Sequence, residues 1–336
     1  MNAEIWLPMA FAGLMALSLL MYVVLDGYDL GVGILLPFAK DDDKDTMVSS
    51  IGPFWDANET WLVLGVGLLL VAFPKAHGII LQALYLPVTV MLIGLILRGV
   101  AFDFRVKAGV RYKGLWNRVF AAGSLIASMA QGVMLGRYLT AFEPGWQAWA
   151  FALLVGVGLS AAYVLLGACW LIMKSEGTLQ RQAIGWARYG VFGTALCVAA
   201  VSLVTPLVSE RIAAKWFEMP EFFLLLPLPL LTLALFVLLL LMLPRLDRHL
   251  GQGDQHLCWL PFSMAVGIFL LSFYGLSYSV FPDVIIDKLD IWEAAAHPQA
   301  LWVIFIGAVV VLPVIVTYTV FVYRVFWGKT RELTYS

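Results

Sequence analysis

The sequence predicts an all-α integral membrane protein, with about nine transmembrane helices arranged as two four-helix bundles plus one peripheral helix. Three observations carry that prediction. Of 336 residues, 62% are apolar and only 13% charged, and the mean hydropathy is +0.90; soluble domains hold roughly 45–50% apolar and 25% charged residues. The apolar residues form continuous runs near the ~20 residues that a helix needs to cross a bilayer, without the period-two alternation of a membrane β-barrel. Lys and Arg crowd into alternate loops, as they do in multi-pass proteins.

Taken in order, the predicted spans are 6–32, 57–73, 78–101, 119–140, 147–173, 186–207, 221–243, 257–280 and 300–325. The first does not read as a cleaved signal: its flank carries Glu4 and no Lys or Arg, and no A-x-A site interrupts the run. The second is short and the weakest by hydropathy. The linker RYLTAFEPGWQAW (137–149) divides one polytopic domain, 1–336, into helices 1–4 (about 6–140) and helices 5–9 (about 147–325). The stretch PRLDRHLGQGDQH (244–256) reads as a polar loop. There is no strict repeat and no extended low-complexity segment.

The loop after span three holds Arg105, Lys107, Arg111, Lys113 and Arg118. With that loop in the cytoplasm, the loops after odd-numbered spans, together with the span ends that border them, carry 16 of the 21 Lys and Arg residues. The expected topology is a multi-pass membrane protein with its N-terminus outside and its C-terminus in the cytoplasm. A miscounted span would spoil this alternation, so the bias also supports nine.

A net charge of −1 points to no nucleic-acid partner. Cys169, Cys197 and Cys258 form no CxxC or Cys/His cluster and read as buried thiols. The four histidines, His77, His249, His256 and His297, lie in loops or at span ends. Haem inside a membrane protein ordinarily takes axial His, Met or Cys from helices, and Met in an apolar helix is usually packing. The expectation is no histidine-ligated haem and no dedicated metal site in this chain.

Carboxylates then stand out. VVLDGYDLGVG (23–33) ends span one with Asp26 and Asp29, three apart and so on one helix face. IGPFWDANETWLVLG (51–65) enters span two with Asp56 and Glu59 at the same spacing. LRGVAFDFRVK (97–107) adds Arg98, Asp103 and Arg105. The topology brings these groups to one membrane face. Ionisable residues in spans are costly and usually face the protein interior or water; carboxylates carried into a low-dielectric region can take up and release protons. The bland alternative is helix capping, with Asp56 at the N-cap of span two and Glu59 completing a box, or an Arg98–acid ion pair. Gly27 and Gly31 form GxxxG, which favours close helix packing over a nucleotide site. Trp55, Trp61 and Trp292 read as interface anchors or packing.

These residues resemble subunit II of the cytochrome bd quinol oxidases. The resemblance is carried by DGYDLGVGIL (26–35), PFWDANETWLV (53–63), RGVAFDFR (98–105), YGLSYSVFPDVI (274–285), IWEAAAHP (291–298) and LPVIVTYTVFVYRVFWGK (312–329). The compact length and LDGYDLGVGILLPF resemble the cyanide-insensitive branch. The resemblance implies a haem-free subunit that stabilises a haem-bearing subunit I and contributes acids to a cytoplasmic proton path. The complex would oxidise a membrane quinol and reduce oxygen to water. Two haems b and one haem d are expected in subunit I, and none in this chain. A structural quinone or lipid could lodge among the helices, and small single-helix accessory subunits could join the complex; nothing in the sequence places either. Asp26 and Asp29 match the acids of the family's DGFD motif, and Asp56 that of its WDxN motif. Glu59, Asp103 and Arg98 complete the expected set. Asp283, in SVFPDVI, reads as a helix cap.

Two rival classes are a proton-coupled secondary transporter and a purely structural membrane subunit. The transporter lacks a broken-helix pair at mid-membrane, since Pro227, Pro229 and Pro313 are scattered. A haem-rich partner that co-purifies separates the oxidase from the transporter, and Asp→Asn kinetics separate the proton path from the scaffold.

Overall fold

A computed structural model describes residues 3–107 and 109–330; Arg331, one of the basic residues counted above, lies outside them. The chain is helical almost throughout. In order come α1 (Ala3–Leu35), α2 (Asp41–Ile51), α3 (Trp55–Ala72), α4 (Pro74–Lys107), α5 (Val110–Leu139), α6 (Trp146–Lys174), α7 (Gly177–Val208), α8 (Glu210–Phe217), α9 (Glu221–Leu225), α10 (Pro227–Gly251), α11 (Leu260–Val280), the short strands β1 (Asp283–Ile285) and β2 (Leu289–Asp290), α12 (Ile291–Ala294) and α13 (Pro298–Val325).

Among the described residues, eight helices are long and apolar enough to cross a membrane, and nine if α2 and α3, bent by 50° at their junction, form one broken span. The break explains why the apolar part of span two is short. Its first part is a polar helix opening with three aspartates, and only α3 is apolar.

Local chemistry sets several boundaries. α4, α10 and α13 begin at proline, whose missing N–H costs nothing at the first helical position. The Asp290 carboxylate caps α12 by accepting from the amides of Trp292 and Glu293, both at 2.8 Å. The predicted polar loop 244–256 is a correction: α10 runs on to Gly251. Leu239, Leu243, Leu246 and Leu250 make one buried stripe at alternating four- and three-residue spacing, and it carries the helix straight past Pro244.

The packing centres on α1 and α6. α1 lies against α3, α5 and α6; α4 runs along α5; α5 and α7 flank α6; α10 and α11 pair, touching α7 and α6. α13 reaches α1 but is otherwise open, with only 6% of its apolar window buried. At Gly31, an added Cβ would overlap the Tyr163 carbonyl oxygen, and one at Gly167 would sit 2.5 Å from the Gly31 carbonyl carbon. The GxxxG reading therefore holds. Small residues let the α1 and α6 backbones touch, and this contact sets how far α1 can carry its acids inward.

On the side opposite α2, β1 and β2 pair antiparallel. Asp283 does not cap a helix, contrary to expectation. It sits in β1, accepts from Arg211 of α8 at 2.5 Å and from the Asp287 amide at 2.7 Å, and so ties α8 to the hairpin.

Candidate functional site

The site is built on the last third of α1. Asp26 and Asp29 are 0% and 1% exposed, and α1 continues for about two turns beyond Asp29. They are thus inside the bundle and not at a solvated helix end. Their shared face turns toward α3, α4 and α6.

Arg98 of α4 is the counter-charge. Its Nη1 donates to Asp26 Oδ1 at 2.6 Å and its Nη2 to Glu59 Oε2 of α3 at 3.1 Å. The guanidinium is 1% exposed; the Glu59 side chain, at 27%, is the member of the set that reaches toward the surface. Trp55 covers the guanidinium with its ring, 5.6 Å from centroid to Cζ. The backbone of α4 can come this close to α5 because residue 123 is glycine: a Cβ there would lie 2.7 Å from the Arg98 amide nitrogen.

Asp29 has neutral partners. Asn58 Nδ2 donates to Asp29 Oδ2 at 2.8 Å and to the Tyr28 hydroxyl at 2.9 Å. The Tyr28 and Tyr323 hydroxyls are 2.7 Å apart, and Tyr323 donates to Asn58 Oδ1 at 3.2 Å. Tyr28 stacks on Trp170 of α6 at 4.1 Å between centroids. One turn before Asp26, the Tyr22 hydroxyl accepts from Gln131 at 2.6 Å, and Gln131 in turn accepts from Tyr163 at 2.7 Å.

Three carboxylates thus surround one guanidinium in a low-dielectric interior. Asp26 Oδ2, Asp29 Oδ1 and Arg98 Nε are buried with no hydrogen-bond partner among the described residues. Natural interiors rarely leave such atoms unsatisfied unless a proton, water or charge movement uses them. One cation cannot neutralise three ionised acids, so the charges of the set balance only in part within this chain.

Of the predicted residues, the structure brings Asp26, Asp29, Glu59 and Arg98 together. It does not bring in Asp56 and Asp103, whose side chains are exposed on the outer faces of α3 and α4. The predicted capping box is absent, because Phe54 is the N-cap of α3 and no side chain bonds there. Arg105 leaves the site as well: its fork binds Asn117 and Asp45, and with Lys113 this ties α2 to α4 and α5. Trp61 is 2% exposed and acts in packing, whereas Trp292 donates its ring N–H to the Ile5 carbonyl at 3.1 Å. Asn58, Tyr28, Tyr323, Tyr22, Gln131 and Tyr163 were not singled out from sequence. Tyr28, Asn58 and Tyr323 lie inside the quoted stretches 26–35, 53–63 and 312–329, which was the one signal available for them.

The histidines sit where haem ligation inside the bundle is not served. His249, His256 and His297 are exposed and His77 is half-buried in the first turn of α4. The residues present do not fit axial histidine ligation.

Comparison with known proteins places this geometry. Residues 7–326 match the family model described as cytochrome bd terminal oxidase subunit II. The chain is 27% identical over 340 residues to cytochrome bd ubiquinol oxidase subunit 2 of Bacillus subtilis (strain 168), covering 93% of this chain and 94% of that one. It is 26% identical over 361 residues to cytochrome bd-I ubiquinol oxidase subunit 2 of Escherichia coli (strain K12), covering 95% and 94%. In three dimensions it resembles a chain of the bd oxidase from Geobacillus thermodenitrificans, with a TM-score of 0.72 at 16% identity, covering 96% of this chain and 99% of that one. The match spans nearly the whole chain, acids included, and the chain belongs to the family of cytochrome bd terminal oxidase subunit II.

Proposed function

We propose that this chain is the haem-free subunit II of a quinol:oxygen oxidoreductase, which stabilises a haem-bearing subunit I and contributes acids to a proton path that supplies the reduction of oxygen to water. The observation that supports the path is the fully buried Asp26–Arg98 pair, with Glu59 on the other arm of the guanidinium. A buried pair alone is weak evidence of stabilisation, since desolvation offsets most of the Coulomb gain. A third carboxylate, Asp29, beside the pair and without a cation of its own has a better explanation in proton handling than in stability.

In this reading, exposed Asp56 and Asp103 collect protons at the cytoplasmic rim, and Glu59 passes them to the interior. Arg98 pairs with Asp26 and Glu59, and a proton that arrives on either acid frees that arm of the guanidinium. Asp29, held by the neutral Asn58 amide, exchanges a proton with this set one turn nearer the rim, and Asp26, three residues earlier on α1, takes it deepest. The haems of subunit I supply the redox chemistry. The residues of this chain hold and hand over protons and exclude bulk water.

The same proposal sets the chain in a bacterial cytoplasmic membrane with the α2 side inward. It treats the chain as one polytopic domain with α1, α3, α4 and α5 as one bundle, α6, α7, α10 and α11 as another, and α13 peripheral. The α1–α6 and α5–α6 contacts join the two. Membrane quinol and oxygen are substrates of the complex, not ligands of this chain.

The test is oxygen consumption by the purified two-subunit complex carrying Glu59→Gln, normalised to haem. A lower rate with an unchanged haem spectrum supports the path. An unchanged rate with an unchanged spectrum leaves only the scaffold role.

A further inference from the structure

α13 is the least embedded of the long helices, yet it sends one hydroxyl into the middle of the acid site. That contact closes a ring of three hydrogen bonds whose direction is fixed by chemistry. The Asn58 N–H can only donate, and it donates to Tyr28 at 2.9 Å. Tyr323 donates to Asn58 Oδ1 at 3.2 Å, so in the 2.7 Å contact between the two hydroxyls Tyr28 is the donor. Each hydroxyl then donates once and accepts once. The second Asn58 N–H is left for Asp29 Oδ2 at 2.8 Å, with the Leu25 carbonyl at 3.3 Å behind it.

The Asp29 carboxylate and the Leu25 carbonyl both accept, which fixes the amide nitrogen on their side, and the Tyr323 hydroxyl on Oδ1 holds the amide plane in place against them. The ring is itself held. Tyr28 stacks on Trp170, and Tyr323 packs on Phe54 at 4.6 Å between centroids. Past the end of α13 the chain is strapped to the end of α6. Lys174 donates to the Phe326 carbonyl at 2.7 Å, Lys329 to the Ser175 carbonyl at 2.8 Å, and the Thr330 amide to the Lys174 carbonyl at 2.8 Å.

We propose that Tyr323 is a positioning residue, which acts through Asn58 to keep an N–H donor on Asp29, so that the docking of α13 sets the proton affinity of that acid. The proposal rests on the proton-path reading for its effect on turnover, but not for its effect on Asp29. The charged groups facing Asp29 are Asp26 on its own helix, Arg98 on α4 and Glu59 on α3. α6 and α13 present the neutral Trp170 and Tyr323. None of the three charged groups is moved by removing a hydroxyl from α13, so the effect is specific to the amide.

The experiment uses the intact complex with Tyr323→Phe, which keeps the ring packing and removes one oxygen. Infrared difference spectra identify the Asp29 carboxyl band as the one lost in Asp29→Asn. In Tyr323→Phe that band is expected to titrate at higher pH, by about one unit for the loss of a donor to a charged acceptor. The pH profile of turnover moves with it. Tyr28→Phe and Asn58→Leu give the same shift, and combining either with Tyr323→Phe adds little more, because all three break one ring. A band that titrates unchanged in Tyr323→Phe overturns the positioning role. A band that shifts while turnover keeps its pH profile upholds the positioning role and counts against the proton path, so the two failures are distinct.

Discussion

Arg98 and Asp26 meet at 2.6 Å, 72 residues apart in the chain, both essentially without solvent exposure. Removing the cation leaves Asp26 buried and unpaired. Arg98→Leu should therefore cost about 3–5 kcal/mol, the usual penalty for orphaning a buried charge, and the yield and thermal midpoint of the complex would show it. Arg98→Lys should rescue only part, because an ammonium on a flexible stem cannot hold two carboxylates on one rigid fork. Wild-type stability in Arg98→Leu would mean that Asp26 is already neutral without its partner.

The α1–α6 contact gives a second prediction. Gly31→Ala places a methyl onto the backbone of Tyr163, which cannot yield, and should destabilise by about 1–3 kcal/mol or more. Gly27→Ala meets the Tyr163 ring instead, at 2.7 Å, and should cost less, because a side chain can turn. Thermal unfolding of both variants in one detergent ranks them, and a larger loss at Gly27 would contradict the packing described.

The outer clamp should respond to acid. Asp287 is held below the usual carboxylate range: partial burial raises its affinity for a proton, but hydrogen bonds from Ser209 and Arg211 more than offset this. The folded-state value is the lower one. The clamp's contribution is thus complete above the ordinary Asp value near ~3.9 and fades as pH falls below it. The protection factor of the Asp287 amide, which donates to Asp283, should fall below that range and stay flat from there to neutral pH once the intrinsic pH dependence of exchange is divided out. Exposure keeps the effect small, so global stability near neutrality should hardly change in Arg211→Gln.

The chain purified without its partner should show no Soret band. No histidine lies buried among the described helices, so ligation from this chain would need an unusual pair. A stoichiometric band in the lone chain would refute the haem-free reading.

The long apolar helices were legible because crossing a membrane leaves a blunt record. Span length and the GxxxG at Gly27 and Gly31 each have one physical meaning there, whereas the bend between α2 and α3 and the β1–β2 hairpin left no such mark. Depth was less legible. Asp26 and Asp29 fell in the last turns of the predicted span 6–32, and α1 runs three residues further, to Leu35, which carries them deeper than the sequence placed them. Spacing also misled at one of two places. The three-residue interval put Asp26 and Asp29 on one buried face, but the same interval left Asp56 outside while Glu59 turned toward Arg98. A helix face is wide enough to hold both a buried and an exposed residue at that spacing, and only the neighbours decide which is which. The neutral members could hardly be found. Tyr323 lies 295 residues from Tyr28, and a tyrosine in an apolar helix carries no mark of what its hydroxyl meets.

The central claim is that the buried acids move protons. The most direct measurement is the haem-normalised rate of oxygen reduction by the complex carrying Asp29→Asn, a change that keeps the shape and leaves the Arg98 pairs untouched. The account predicts a loss of at least about tenfold with the haem spectrum and complex yield unchanged. Full turnover with intact haem in that variant would contradict it and leave Asp29 as part of the scaffold.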